Sequence, residues 1–217
     1  MSVVWARHLR PLFFLPVLCY NSAYCDPGGV AMEGWMELFE AIQTCQRCGL
    51  CRERTLVVPG EGNPNAKLML IGEGPGAQED RLGRPFVGAS GELLTRYLHE
   101  IGLERTEVYI ANIVKCRPPG NRTPAEEEAQ ACLPYLRAQF RLIRPQVLVL
   151  LGATAAKYVL GGDVRIRRDH GQWTERKGVW MMPTFHPSAL LRDPKQRVDA
   201  WRDFQSVQSR LRRLEEA

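Results

Sequence analysis

The stretch Leu68 to Asp80, LMLIGEGPGAQED, constrains the fold more than any other. Four apolar residues, Leu68-Met69-Leu70-Ile71, stop abruptly at Gly72-Glu73-Gly74-Pro75-Gly76. A short apolar run bounded by a Gly/Pro turn reads as a buried strand, and the turn then lies at the carboxyl edge of a sheet. In open α/β sheets ligands bind along that edge. Glu73 is thereby placed at the rim of a pocket, on backbone that glycines allow to approach a ligand closely. A plain strand-to-loop turn with Glu73 solvated is the competing reading. The dinucleotide-binding fingerprint is incomplete, because Gln78-Glu79-Asp80 stand where it needs a third glycine and the opening of a helix. Acids so close to the turn also argue against a phosphate cradle.

Two further runs repeat the pattern. Val108-Tyr109-Ile110-Ala111-Asn112-Ile113-Val114 and Val147-Leu148-Val149-Leu150-Leu151 read as buried strands, and two short strands are expected around Lys177-Gly178. Helical spacing appears between them. Leu93, Leu94, Tyr97, Leu98 and Ile101 share a face, the segment after Thr123-Pro124-Ala125-Glu126 starts like a capped helix, and Val198 to Leu214 closes the chain as a long helix. Alternating helices and fully apolar strands imply a parallel sheet covered on both faces. Three polar residues then fall at strand ends: Glu73, Asn112 and His186. A carboxylate, an amide and an imidazole on one edge have the makings of an active site.

The 217 residues suffice for one ample domain or one domain with an appendage, and no apolar run is long enough to span a bilayer. The net charge of +5 is compatible with a polyanionic partner without identifying one. Residues 1–31 do not resemble the remainder. Arg7 and Arg10 precede a short apolar run broken by Pro16, a faint image of an export signal without a small-x-small cleavage site. This segment is expected to be a disordered or non-native extension, with residues 32–217 forming the domain.

Of the seven cysteines, Cys45, Cys48 and Cys51 form a tight cluster, which favours a metal or cluster site in a reducing compartment, the cytoplasm, over disulfides. Cys45 and Cys48 pair at C-x2-C spacing, and Cys116 and Cys132 form a second, wider pair. That spacing is wider than zinc sites of this class usually show, and all-thiolate ligation suits an iron–sulfur cluster. Cys51 stays open as a further ligand.

Together these residues resemble the family 4 uracil-DNA glycosylases, the iron–sulfur-containing branch of that superfamily. Gly72-Glu73-Gly74-Pro75-Gly76 is similar to the first motif of the family, Asn112-Ile113-Val114-Lys115-Cys116-Arg117-Pro118-Pro119 to its central segment and His186-Pro187-Ser188 to its third motif, with the cysteine set as an independent match. The resemblance runs from about Leu38 to Leu214. It implies a three-layer α/β/α sandwich with a central four-stranded parallel sheet. It also implies a [4Fe–4S] cluster on Cys45, Cys48, Cys116 and Cys132, and hydrolysis of the N-glycosidic bond of deoxyuridine in single- or double-stranded DNA. A monomer is the default expectation for an enzyme that must engulf a strand.

By that resemblance, Glu73 holds or activates water and counters the sugar cation, and His186 stabilises the departing uracil at O2, aided by backbone N–H at Gly74. Phe86 stacks on the flipped base, Asn112 reads N3–H and O4, Glu79 walls off the thymine methyl, and Asn121 helps position phosphate or water. Leu190 is placed as the apolar wedge that holds the base stack open. Better-known branches carry Asp where this chain has Gly74, which leaves Glu73 two alternative roles, activating water or acting through its charge alone. Two other readings compete: a metal-cluster redox or nucleotide-binding protein, which leaves His186-Pro187-Ser188 without a role, and a non-catalytic iron–sulfur DNA-binding protein of the same fold.

Overall fold

A computed structural model describes residues 34–216. The expected extension at residues 1–31 lies outside the described residues, as do Cys19 and Cys25. The chain begins with α1 (Trp35–Gln43) and passes through β1 (Glu61–Gly62), β2 (Leu68–Gly72), α2 (Ala77–Leu82), α3 (Ala89–Glu100) and β3 (Tyr109–Asn112). It continues through α4 (Glu126–Ile143), β4 (Val147–Leu151), α5 (Ala153–Leu160), α6 (Ile166–Asp169), β5 (Thr174–Arg176), β6 (Val179–Thr184), α7 (Pro187–Arg192) and α8 (Arg197–Glu215).

The strands form one sheet in the order β1-β3-β2-β4-β6-β5. The central four, β3-β2-β4-β6, are parallel, as expected. Two further strands extend the edges: β1, which the sequence reading lacked, pairs antiparallel with β3, and β5, the first of the two short strands expected around Lys177-Gly178, pairs antiparallel with β6. The β5–β6 hairpin turns at Lys177-Gly178, both with positive φ, as its two-residue loop demands.

The continuous apolar runs have a direct explanation. Side chains alternate across a strand, and here both faces are covered. Met69, Ile71, Ala111, Leu148, Leu150 and Met181 point to one side, where α1, α4 and α5 cover them. Leu68, Leu70, Ile110, Val147, Val149 and Met182 point to the other, beneath α3, α7 and α8. The result is the expected three-layer α/β/α sandwich, with a core on each face of the sheet.

Local differences from the sequence reading have physical causes. A short helix, α2, does open after the glycine turn. The start of α4 is capped at Ala125 rather than Thr123: the Glu128 carboxylate reaches back to accept from the Ala125 N–H at 2.8 Å, and Arg122 pairs with that same carboxylate. The helix then runs on through Pro134 to Ile143.

Candidate active site

The strand register sets the site. Gly72 and Asn112 are neighbours at the carboxyl ends of β2 and β3, and Leu151 and Thr184 are neighbours at the ends of β4 and β6. Glu73, Asn112 and His186 therefore emerge on one edge, as the sequence implied.

Asn112 is 1 % exposed, and its Oδ1 has no hydrogen-bond partner. A buried acceptor left unpaired is uncommon and costly. Its surroundings show why the side chain fits here at all. A Cβ at Gly72 would stand 2.5 Å from Asn112 Oδ1 and 2.6 Å from Phe86 Cζ, so only glycine admits both groups here. Phe86 is buried at the same place, with its ring 5.6 Å from the His186 imidazole, centroid to centroid, and tilted by 33°.

His186 occupies the N-cap of α7, with Pro187 at the first helical position. The Ser188 N–H donates to His186 Nδ1 at 3.2 Å, and Ser188 Oγ lies 2.8 Å from the same nitrogen. An Nδ1 that accepts a hydrogen bond leaves the ring proton on Nε2 in the neutral tautomer. Burial drives the His186 pKa down to about 4, reinforced by Arg192 and opposed by Glu79. The imidazole is thus neutral at pH 7 and offers Nε2–H as a donor.

Glu73 receives a hydrogen bond from the Thr154 hydroxyl in the first turn of α5. Nothing in the sequence marked Thr154. The only local signal was its position just after the glycine that ends β4. A Cβ at Gly74 would stand 2.8 Å from Val114 Cγ2, so the turn passes too close to that side chain for a larger residue to fit unchanged. Glu79 is buried, and its Oε1 accepts from the Val87 and Gly88 N–H groups at 2.9 and 3.0 Å, which ties α2 to the loop carrying Phe86. Asn121 is exposed, with positive φ, and its Oδ1 accepts from Arg117 Nε at 2.8 Å.

Leu190 requires a correction. It is 1 % exposed and belongs to the core between the sheet, α3 and α8. Helical geometry turns its side chain inward, so it is not placed to enter a base stack. The next residue, Leu191, is 40 % exposed and presents the apolar surface of α7 to solvent.

The cysteines meet on the far side of β3. Cys45, Cys48, Cys51, Cys116 and Cys132 line one cavity with Ile42, Leu50, Val114, Tyr135, Arg54 and Lys115. Three N–H donors reach the sulfurs: Arg47 N to Cys45 at 3.5 Å, Arg54 Nη1 to Cys116 at 3.2 Å and Lys115 N to Cys132 at 3.3 Å. Burial pushes the Cys132 thiol up to about 12 and raises Cys48 and Cys116 as well. Thiols in such a place become thiolates only when a cation compensates them. Among the described residues, no group of three or more His, Cys, Asp or Glu side chains is arranged for a single metal ion. Thiolates that each bind a different iron of a cluster do not have to converge on one point. The donor set, all sulfur and ringed by N–H groups and positive charge, fits such a cluster chemically.

Lys115 joins the two regions. It is fully buried, and its Nζ donates to the Asn112 carbonyl at 2.8 Å and to Gln139 Oε1 at 2.7 Å. β1 reaches only Tyr109 and Ile110, so the lysine supplies a partner to a carbonyl just beyond the reach of that strand.

Comparison with known proteins agrees with this geometry. The profile of the Uracil DNA glycosylase superfamily matches residues 59–205. A Type-4 uracil-DNA glycosylase of Thermotoga maritima is 49 % identical over 158 residues, covering 71 % of this chain and 81 % of that protein. One from Sulfurisphaera tokodaii is 43 % identical over 185 residues, covering 81 % and 84 %. A Type-5 uracil-DNA glycosylase of Pyrobaculum aerophilum is 35 % identical over 150 residues, covering 61 % and 66 %. With the motifs on one sheet edge and relatives this similar over most of its length, the chain belongs to the uracil-DNA glycosylase superfamily and, within it, to the type-4 uracil-DNA glycosylases.

Proposed function

We propose that Asn112 is the residue with which this DNA-repair glycosylase reads uracil. The reaction is hydrolysis of the N-glycosidic bond of deoxyuridine, releasing uracil and leaving an abasic site. The observation that carries the reading is the unpaired Oδ1 of a fully buried Asn112, beside the Phe86 ring and the glycine that makes room for both.

A base inside a duplex is out of reach and must be flipped into the pocket. There Phe86 provides the stacking surface. Asn112 Oδ1 accepts from uracil N3–H, and the side-chain amide donates to O4. Cytosine presents an acceptor at N3 and a donor at N4, so both contacts fail, and mismatches of this kind discriminate strongly. Glu79 stands beside this pocket and serves as the wall against the thymine methyl.

As the bond breaks, negative charge gathers on the base and positive charge on the sugar. The Nε2–H of neutral His186 donates to O2 and stabilises the leaving base, with backbone N–H at Gly74 adding to it, as fixed dipoles do in an oxyanion hole. Glu73, oriented by Thr154, faces the developing sugar cation and the attacking water. Arg117, Asn121 and Ser188 contact the phosphate backbone, which positions DNA without reading it.

Cys45, Cys48, Cys116 and Cys132 would hold a [4Fe–4S] cluster. Ligands from these positions would fasten α1 and the segment after it to β3 and α4, a structural service with no redox step in the reaction. Free thiols of this kind suit a reducing compartment, and on this reading the protein works on DNA in the cytoplasm, as a monomer.

The test is strand scission by alkali after incubation with labelled oligonucleotides containing one uracil, opposite G, opposite A or single-stranded. Cleavage at uracil alone, abolished by Asn112→Ala, is the expected result. Equal cleavage by the variant removes Asn112 from its role. Visible absorbance and iron content, lost together in Cys132→Ser, test the cluster separately.

A further inference from the structure

We propose that Arg105 is a positioning residue that holds the Phe86 stacking platform in its working geometry, with Glu61 as its anchor. The inference rests on the reading of Phe86 as the surface on which the flipped base lies.

Phe86 has φ of +51°, a left-handed conformation that a bulky L-residue adopts only when its surroundings enforce it. Its carbonyl lies so close to α3 that a Cβ at Gly91 would stand 1.8 Å from the oxygen. Arg105 comes from the turn between α3 and β3. Its Nη1 donates to the Phe86 carbonyl at 3.0 Å and to Thr95 Oγ1 at 3.3 Å, while Nη2 donates to the Pro85 carbonyl at 2.8 Å and to Glu61 Oε1 at 2.6 Å. One planar guanidinium thus grips two successive carbonyls of the loop, a helix hydroxyl and an edge-strand carboxylate. A lysine ammonium cannot reproduce that fork.

Burial separates this pair from an ordinary surface contact. The Arg105 and Glu61 side chains are 19 % and 24 % exposed, whereas Arg84, the other partner of Glu61, is 63 % exposed. Exposed pairs hold little; the Arg105 contacts are directional and shielded. On the far side of the loop, Glu79 accepts from the N–H groups of Val87 and Gly88. The strained residue is therefore held by its carbonyl from one direction and by the following amides from the other. Arg105 reaches the base only through Phe86.

The experiment is a double-mutant cycle on the full-length holoprotein. Single-turnover rates on a uracil oligonucleotide are measured for the parent, Arg105→Met, Arg105→Lys, Phe86→Ala and each Arg105 change combined with Phe86→Ala; Arg105→Lys keeps the charge and the apolar stem should Arg105→Met fail to fold. Affinity for the same oligonucleotide without uracil is measured in parallel. Both Arg105 variants are expected to lower the rate on uracil about tenfold, as misplacement of a reacting group does. Their affinity for uracil-free DNA stays at the parent value, and neither Arg105 change has a further effect once Phe86 is alanine. An equal loss in the presence and absence of the Phe86 ring overturns the proposal, because Arg105 then acts on the fold or elsewhere in the site. Parent activity in Arg105→Lys overturns it as well. Parent activity in Phe86→Ala removes the stacking role itself, and the proposal with it, while leaving the reading by Asn112 intact.

Discussion

The Thr154 hydroxyl donates a hydrogen bond to the Glu73 carboxylate, joining the first turn of α5 to the glycine turn that ends β2. Two strand ends are thereby coupled through a single side-chain contact across 81 residues of sequence. In the role proposed for Glu73, a carboxylate beside the breaking glycosidic bond acts only where its charge is aimed, and this hydroxyl would set the aim. Hydrogen bonds to charged groups are worth about 1.5–3 kcal/mol. Thr154→Val, nearly isosteric, is expected to lower kcat on uracil DNA by about tenfold with KM little changed. Steady-state kinetics check this; a change confined to KM would show that the hydroxyl serves binding instead.

The tautomer and low pKa of His186 lead to a pH prediction. The folded value of about 4 lies below the ordinary histidine value of 6.5. Between those limits the unfolded chain takes up a proton that the folded protein refuses. The His186 contribution to stability is therefore level above pH 6.5, declines as pH falls through that window and levels off again below about 4. An imidazole resonance of His186 that does not titrate between pH 8 and pH 5, followed by NMR, is the expected outcome. Denaturation midpoints of His186→Gln should depend less on pH in the same window.

Leu190 and Leu191 are adjacent in sequence and opposite in environment, 1 % and 40 % exposed. Leu190→Ala leaves a cavity in the core and is expected to cost about 3 kcal/mol of stability. Leu191→Ala is expected to leave the thermal midpoint nearly unchanged and to lower activity severalfold on duplex DNA, with a smaller loss on single strands, because only a duplex has a stack to hold open. Calorimetry and cleavage of paired substrates separate the two residues.

Much of the molecule was determined by the sequence itself. Runs such as Leu68–Ile71 and Val147–Leu151 have no polar face, so they need cover on both sides, and the helical segments between them supply it. A parallel sheet follows, and parallel strands put their ends together, which is why the sequence alone assigns Glu73, Asn112 and His186 to one edge. The spacing of the cysteines showed two pairs, Cys45/Cys48 and Cys116/Cys132, and the family resemblance joined them into one set; the structure lines one cavity with both pairs. What only the tertiary structure decided were contacts without a local signature. Strand periodicity says which face a residue takes, but it does not say that Thr154 meets Glu73, that Arg105 grips the carbonyl of Phe86, or that the Glu79 carboxylate binds the amides after it. The burial of Leu190 was decided by the packing of α7 in one core cluster with α3 and α8, elements distant from it or from each other in sequence. Hydrophobic pattern is periodic and can be read locally; a directed polar contact depends on where two remote segments come to rest, and only the folded chain sets that distance.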